Sequence, residues 1–172
     1  GMGTWDTKAE FKDILVKQTD DKILLQSHFA NGLEGWQSSG GEWSLSSDVL
    51  NQSSRSINCQ IIRGENTWTD YTYSLKAKRT DGTEGFLIIF AAQDGKNLYW
   101  WNIGGWGNTR TVIEKMTRGG KREISGTAVK LQIETGIWYD IKIALRGNTA
   151  ECYFNDRLIT TIKDDVGKST LP

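Results

Sequence analysis

The chain has 172 residues, with 21 basic and 21 acidic side chains, one His, two Cys, eight Trp, five Tyr and five Phe. That length supports one domain whose core needs no disulfide or metal staple. The balanced charge excludes a field of one sign for nucleic acid or an anionic membrane, and the apolar runs are too short to cross a bilayer as a helix.

The opening "GMG" resembles a cloning scar, so the native N-terminus is expected to be missing, and no signal peptide can be read in it. "TKAEFKDILVK" is the one stretch whose pattern admits a helix, although its triplet Ile14, Leu15 and Val16 suits a strand as well. "EWSLS", "VLNQ" and "SINCQII" follow as strand candidates. "YTYSLKAKRT" alternates strictly, which predicts a half-buried strand with Tyr71, Tyr73, Leu75 and Ala77 on its dry face. "GFLIIFAAQ" is apolar on both faces and predicts a central strand.

In "NLYWWNIG", Tyr99, Trp101 and Ile103 share one face, and Leu98, Trp100 and Asn102 share the other. The first set reads as core and the second as a groove floor. Gly104, Gly105 and Gly107 then free the backbone, leaving Trp106 on a loop with Asn108 and Arg110 following. "RTVIEKM" and "REIS" come next, with Arg118, Lys121 and Arg122 around a Gly pair. That basic cluster reads as a charged hairpin tip or as a site for an acidic sugar. "IWYDIKIALRG" places Ile137, Tyr139, Ile141, Ile143 and Leu145 on one face. "TAECYFNDRLITTIK" carries an Asn155-Asp156 turn between two strands.

One Pro, 19 Gly and turn signals between short alternating segments predict an all-β protein: an antiparallel two-sheet β-sandwich. Residues 1–28 are expected to form N-terminal strands that pack on the sandwich, 29–163 the sandwich itself and 164–172 an exit segment. Cys59 and Cys152 are too far apart for a CxxC motif and lie in apolar alternations, Ile57-Cys59-Ile61 and Ala150-Cys152-Phe154. Free buried thiols are expected, with a disulfide as the alternative.

Catalytic parts are scarce. His28 is the only histidine, so a Ser-His-Asp triad and a His-rich metal site lack components. "GGWGN" follows a strand without opening a long helix and is no dinucleotide fingerprint. Paired carboxylates need no histidine, and Glu84, Asp94, Glu114 and Glu134 are the acids that could meet in space. The positive signal is aromatic density beside amides and charges. An indole covers the flat C–H patch of a sugar while Asn, Asp, Glu or Arg satisfies its hydroxyls. The candidate ligand-binding residues are therefore Trp100, Asn102, Trp106, Asn108 and Arg110, with no catalytic or metal-binding residue assigned.

Three stretches together, "ANGLEGWQSSGGEWSL", "NTWTDYTYSLKAKRTDGTEGFLIIFAAQDGKNLYWWNIGGWGN" and "IETGIWYDIKIALRGNTAECYFNDRLI", resemble a concanavalin A-like (laminin G/jelly-roll) sandwich. More narrowly, "YWWNIGGWGN" and the leading "GTWDTKAEFKDILV" are similar to the accessory sandwich domain of bacterial family 51 α-L-arabinofuranosidases. The resemblance implies a secreted or periplasmic polysaccharide-degrading parent. It also implies that the catalytic barrel, with its two glutamates, lies outside this chain. Expected partners are arabinan- or arabinoxylan-type carbohydrate and the catalytic domain of the same polypeptide, with no nucleic acid and no membrane. No cofactor is expected. Some relatives hold a structural calcium, but nothing in this sequence spells a calcium loop. Three functions follow: a non-catalytic carbohydrate-binding domain, a structural spacer against the barrel, or a small sandwich glycosidase using a carboxylate pair.

Overall fold

The computed structural model describes residues 1–164, and alternation along the chain accounts for most of what it shows. Sixteen strands are formed among these residues. They are β1 (Met2–Thr4), β2 (Thr7–Gln18), β3 (Ile23–Ser27), β4 (Gln37–Ser39), β5 (Trp43–Ser46), β6 (Val49–Gln52), β7 (Cys59–Ile62) and β8 (Tyr71–Gly82). There follow β9 (Phe86–Asp94), β10 (Asn97–Gly104), β11 (Arg110–Thr117), β12 (Gly120–Glu123), β13 (Val129–Lys130), β14 (Trp138–Arg146), β15 (Thr149–Phe154) and β16 (Arg157–Lys163). The one helical element among the described residues is a single turn, α1 (Gly105–Asn108).

Two antiparallel sheets result, as the sequence predicts. The first runs β12-β11-β10-β9-β1-β7-β4 with β13 beside β11. The second runs β16-β15-β14-β8-β2-β6-β5 with β3 beside β2. Residues 1–28 do more than pack on this sandwich. β1 lies between β7 and β9 in the first sheet, and β2 lies between β8 and β6 in the second. The exit segment falls outside the described residues apart from Asp164, whose carboxylate accepts from Tyr99 Oη at 2.9 Å and pairs with Lys115 at 3.3 Å.

"TKAEFKDILVK" is a strand with a bulge. Asp13 has φ of 55°, and pairing with β8 shifts register between Lys12 and Leu15. The extra residue inverts the phase, so Ala9 and Phe11 face the core before it and Ile14 and Val16 after it. The core between the sheets takes Met2, Phe86, Ile88, Tyr99 and Trp101 from one side and Phe11, Tyr73, Leu75, Ile141 and Ile143 from the other. Gly3 is required where β1 crosses β7, because a Cβ there would stand 2.2 Å from Cys59 O.

Both cysteines are free and buried in different sheets, and burial pushes both thiols above their ordinary range. Asn155 and Asp156, with φ of 47° and 62°, make the tight hairpin turn expected between β15 and β16. Two expected core positions are solvent-facing: Ile57 is 60% and Ile137 46% exposed. Each lies just before its strand begins, at Cys59 and Trp138, where alternation has not yet been imposed by pairing.

Candidate functional site

β10 separates the two neighbouring indoles as the period of two requires. Trp101 faces the inter-sheet core at 0% exposure. Trp100 faces the outer side of the first sheet, with Leu87, Ile89, Leu98 and Met116. It is nevertheless only 1% exposed. Trp100 Nε1 donates to Glu114 Oε2 at 2.6 Å, and Asn102 Nδ2 donates to the same oxygen at 3.3 Å. Register explains the meeting, since Trp100 stands opposite Glu114 and Asn102 opposite Val112 on β11. Lys121, on β12, folds back over this patch. Its Nζ lies 3.7 Å from Glu114 Oε1, 4.1 Å from the centre of the Trp5 ring and 5.5 Å from that of Trp100.

After β10 the chain turns in the left-handed region. Gly104, Trp106, Gly107 and Asn108 have φ of 68°, 51°, 68° and 62°. Gly suits these angles without strain, whereas a left-handed Trp costs about 1 kcal/mol and needs outside support. Gly105 is fixed for another reason: a Cβ on it would meet Asn102 Oδ1 at 2.6 Å. The support comes from several directions. Asn108 Nδ2 donates to Ile133 O at 2.8 Å, and Ile133 N donates back to Asn108 Oδ1 at 2.8 Å. Thr109 N donates to Gly105 O, Thr109 Oγ1 to Trp106 O, and Gly107 N to Glu84 Oε1 at 3.4 Å. Burial pushes the Glu84 carboxyl up, while the Gly107 N–H and the Lys121 charge hold it down.

The turn presents Trp106 at 39% exposure. The Arg110 guanidinium lies 4.0 Å from its ring centre and is itself held by Glu123 Oε1 at 2.7 Å. An indole held this way is a rigid apolar plate edged by charged donors and acceptors.

A concavity lies elsewhere in the sandwich. It has a volume of about 690 Å³ and is walled by Gly1, Trp36, Gln60, Arg63, Trp68 and Ala91, among others. Trp36 Nε1 and Gln60 Oε1 are buried there without a hydrogen-bond partner among the described residues. Such orphans are unusual in a native wall.

The chain is 34% identical over 167 residues to an extracellular exo-α-L-arabinofuranosidase of Streptomyces chartreusis. The match takes in 96% of this chain and 20% of that enzyme, so the chain spans about a fifth of its relative's length. Among solved structures it is similar to the carbohydrate-binding module CBM66 from Bacillus subtilis, with a TM-score of 0.55 and 18% identity. That superposition covers 76% of this chain and 80% of the module. The two share one sandwich fold. No family model matches the chain.

On this sandwich the five residues singled out in the sequence lie in one neighbourhood, in unequal states. Trp106 and Arg110 are stacked and reach solvent. Trp100 and Asn102 lie beneath and bind Glu114, and both ends of the Asn108 amide are engaged by Ile133. Of the four acids, Glu84 and Glu114 both border Lys121, while Asp94 organises the β9–β10 turn by accepting from Lys96 N and Asn97 N. The basic trio is split: Lys121 turns to the Trp100 side, and Arg122 lies 3.8 Å from Asp164. Among the described residues no group of three or more His, Cys, Asp or Glu could hold a metal ion, and His28 is exposed, apart from this neighbourhood. Trp5 was missed, and Glu84 and Lys121, which the sequence offered as a carboxylate of a pair and as part of a basic cluster, were not expected beside the tryptophans. The first two come from separate parts of the chain, and only strand order brings them to the tryptophans.

Proposed function

We propose that this chain is a non-catalytic, carbohydrate-binding accessory domain of a secreted arabinofuranosidase-like glycosidase, and that its ligand is arabinose-containing plant polysaccharide. The observation that carries this reading is Trp106, a solvent-facing indole on a hydrogen-bonded left-handed turn, stacked by Arg110 and flanked by Glu123 and Glu84. A sugar ring would lay its C–H face on the indole and direct hydroxyls to the guanidinium and carboxylates. Trp100, Asn102 and Asn108 would hold that platform in place from below. The arabinofuranosidase relative and the carbohydrate-binding-module fold both support the assignment.

Calorimetric titration with arabinan, arabinoxylan and their oligosaccharides tests it. A shallow platform of this kind should bind with Kd near about 1 mM, or roughly −4 kcal/mol. Trp106→Ala should weaken binding at least about tenfold, a loss of about 1.4 kcal/mol. Absence of heat at millimolar sugar together with unmoved Trp fluorescence would overturn the reading and leave the structural spacer.

A further inference from the structure

β8 keeps its alternation to the end of the sandwich, but its last core-facing residue is charged. Tyr71, Tyr73, Leu75 and Ala77 face the core, and the next position of the same parity is Arg79, 8% exposed. A guanidinium turned inward must find acceptors for its donor groups. Arg79 finds three neutral oxygens. Nε donates to Thr135 Oγ1 at 3.0 Å, Nη1 to Glu84 O at 3.0 Å and Nη2 to Ile133 O at 3.1 Å. The main chain is fastened at the same place, with Gly136 N donating to Arg79 O at 2.8 Å.

These oxygens belong to two segments, and each segment holds the Trp106 turn by a different residue. Residues 131–137 hold it at Asn108. Ile133 O accepts from Asn108 Nδ2 as well as from Arg79, and Ile133 N donates to Asn108 Oδ1. The Ile133 side chain also lies against Gly104, where the left-handed run begins: a Cβ there would stand 3.2 Å from Ile133 Cγ1. Glu84 holds the turn at Gly107, whose N donates to its carboxylate, and Glu84 N is itself fixed by Thr7 Oγ1 at 3.1 Å. Arg79 therefore joins both anchors. It comes from the second sheet, while the turn links β10 and β11 of the first.

We propose that Arg79 is a positioning residue for the Trp106 platform. Its buried guanidinium clamps the Ile133 and Glu84 carbonyls together and so fixes the angle at which the indole meets a sugar. The inference rests on the carbohydrate-binding reading and adds to it a residue that acts only through others. The shape of the fork matters as much as its charge. A planar guanidinium serves acceptors on two segments at once, whereas a Lys ammonium is a point donor that serves one side. A left-handed Trp is held only by its supports, so loosening them costs orientation rather than fold.

The test compares Arg79→Met, Arg79→Lys and Leu75→Ala in the full chain. Met fills the buried volume without donors, and replacing a buried charge in this way is often neutral for stability. Leu75→Ala opens the core on the same strand and destabilises the fold without touching the anchors of the turn. In Arg79→Met, amide exchange at Ile133 and Thr109 should quicken at least about tenfold relative to Trp101 and Ile113. Affinity for an arabino-oligosaccharide should fall at least about tenfold. Arg79→Lys should show both effects at about threefold or more. Leu75→Ala should lose stability and show neither. Effects on exchange or affinity no larger in the Arg79 variants than in Leu75→Ala would overturn the clamp. A chain that binds no arabino-oligosaccharide would fail the carbohydrate reading alone, and exchange at Ile133 and Thr109 would still decide the clamp.

Discussion

The outer face of the first sheet near Trp100 and the cavity walled by Trp36, Gln60 and Ala91 both involve that sheet, but they treat their polar atoms differently. At Trp100 the indole N–H and the Asn102 amide meet one carboxylate, and Lys121 balances that charge. In the cavity wall the Gln60 amide oxygen and the Trp36 indole N–H have no hydrogen-bond partner among the described residues, and the Tyr71 hydroxyl accepts from Ala91 N. Buried polar groups are normally satisfied, and the outer face at Trp100 meets that rule, whereas the cavity wall meets it less fully among the described residues. Aromatic density alone does not distinguish them. The hydrogen-bond inventory does.

The largest effect expected from this contrast is on stability. Trp100→Ala should destabilise the fold by about 3–5 kcal/mol, because it empties a buried site and removes the indole N–H from the Glu114 carboxylate. Trp106→Ala should change stability by less than about 1 kcal/mol while removing sugar binding. Urea unfolding of both variants measures the difference. Equal losses would mean that Trp106 is also a foundation residue.

A smaller effect concerns the Gly1 amine. Burial pulls the pKa of the Gly1 amine down to about 5, against 8.0 for an ordinary terminus. Between those values the unfolded chain takes up a proton that the native chain refuses. The stability linked to this group is therefore complete above pH 8 and falls as pH drops toward 5. Each unit corresponds to about 1.4 kcal/mol at most, reduced because Gly1 is only half-buried. N-terminal acetylation should flatten this slope, as judged by the acetylated and free chains unfolded at pH 8, 6.5 and 5. Parallel curves would show that the amine is solvated and the wall unstrained.

Much of the foundation was legible in the sequence because a period of two needs no knowledge of neighbours. It assigned Tyr99 and Trp101 to the core and Trp100 to the opposite face, and it gave β9 two covered faces. It failed where pairing sets the boundary, at Ile57 and Ile137, and where the Asp13 bulge inverted the phase of β2. The cavity could not be seen at all. Gly1, Trp36, Gln60, Trp68 and Ala91 converge through the order of strands, and no local pattern links them.

The central claim is that Trp106 meets a ligand while Trp100 and Trp101 hold the sheet. Indole N–H resonances of the ¹⁵N-labelled chain, followed through a titration with arabino-oligosaccharide, test it most directly. The account predicts a saturable shift of the Trp106 signal, abolished as a signal by Trp106→Phe, with Trp101 unmoved and Trp100 moved less. Saturable shifts confined to other tryptophans, or no shift at 20-fold excess over a Kd of about 1 mM, would contradict it.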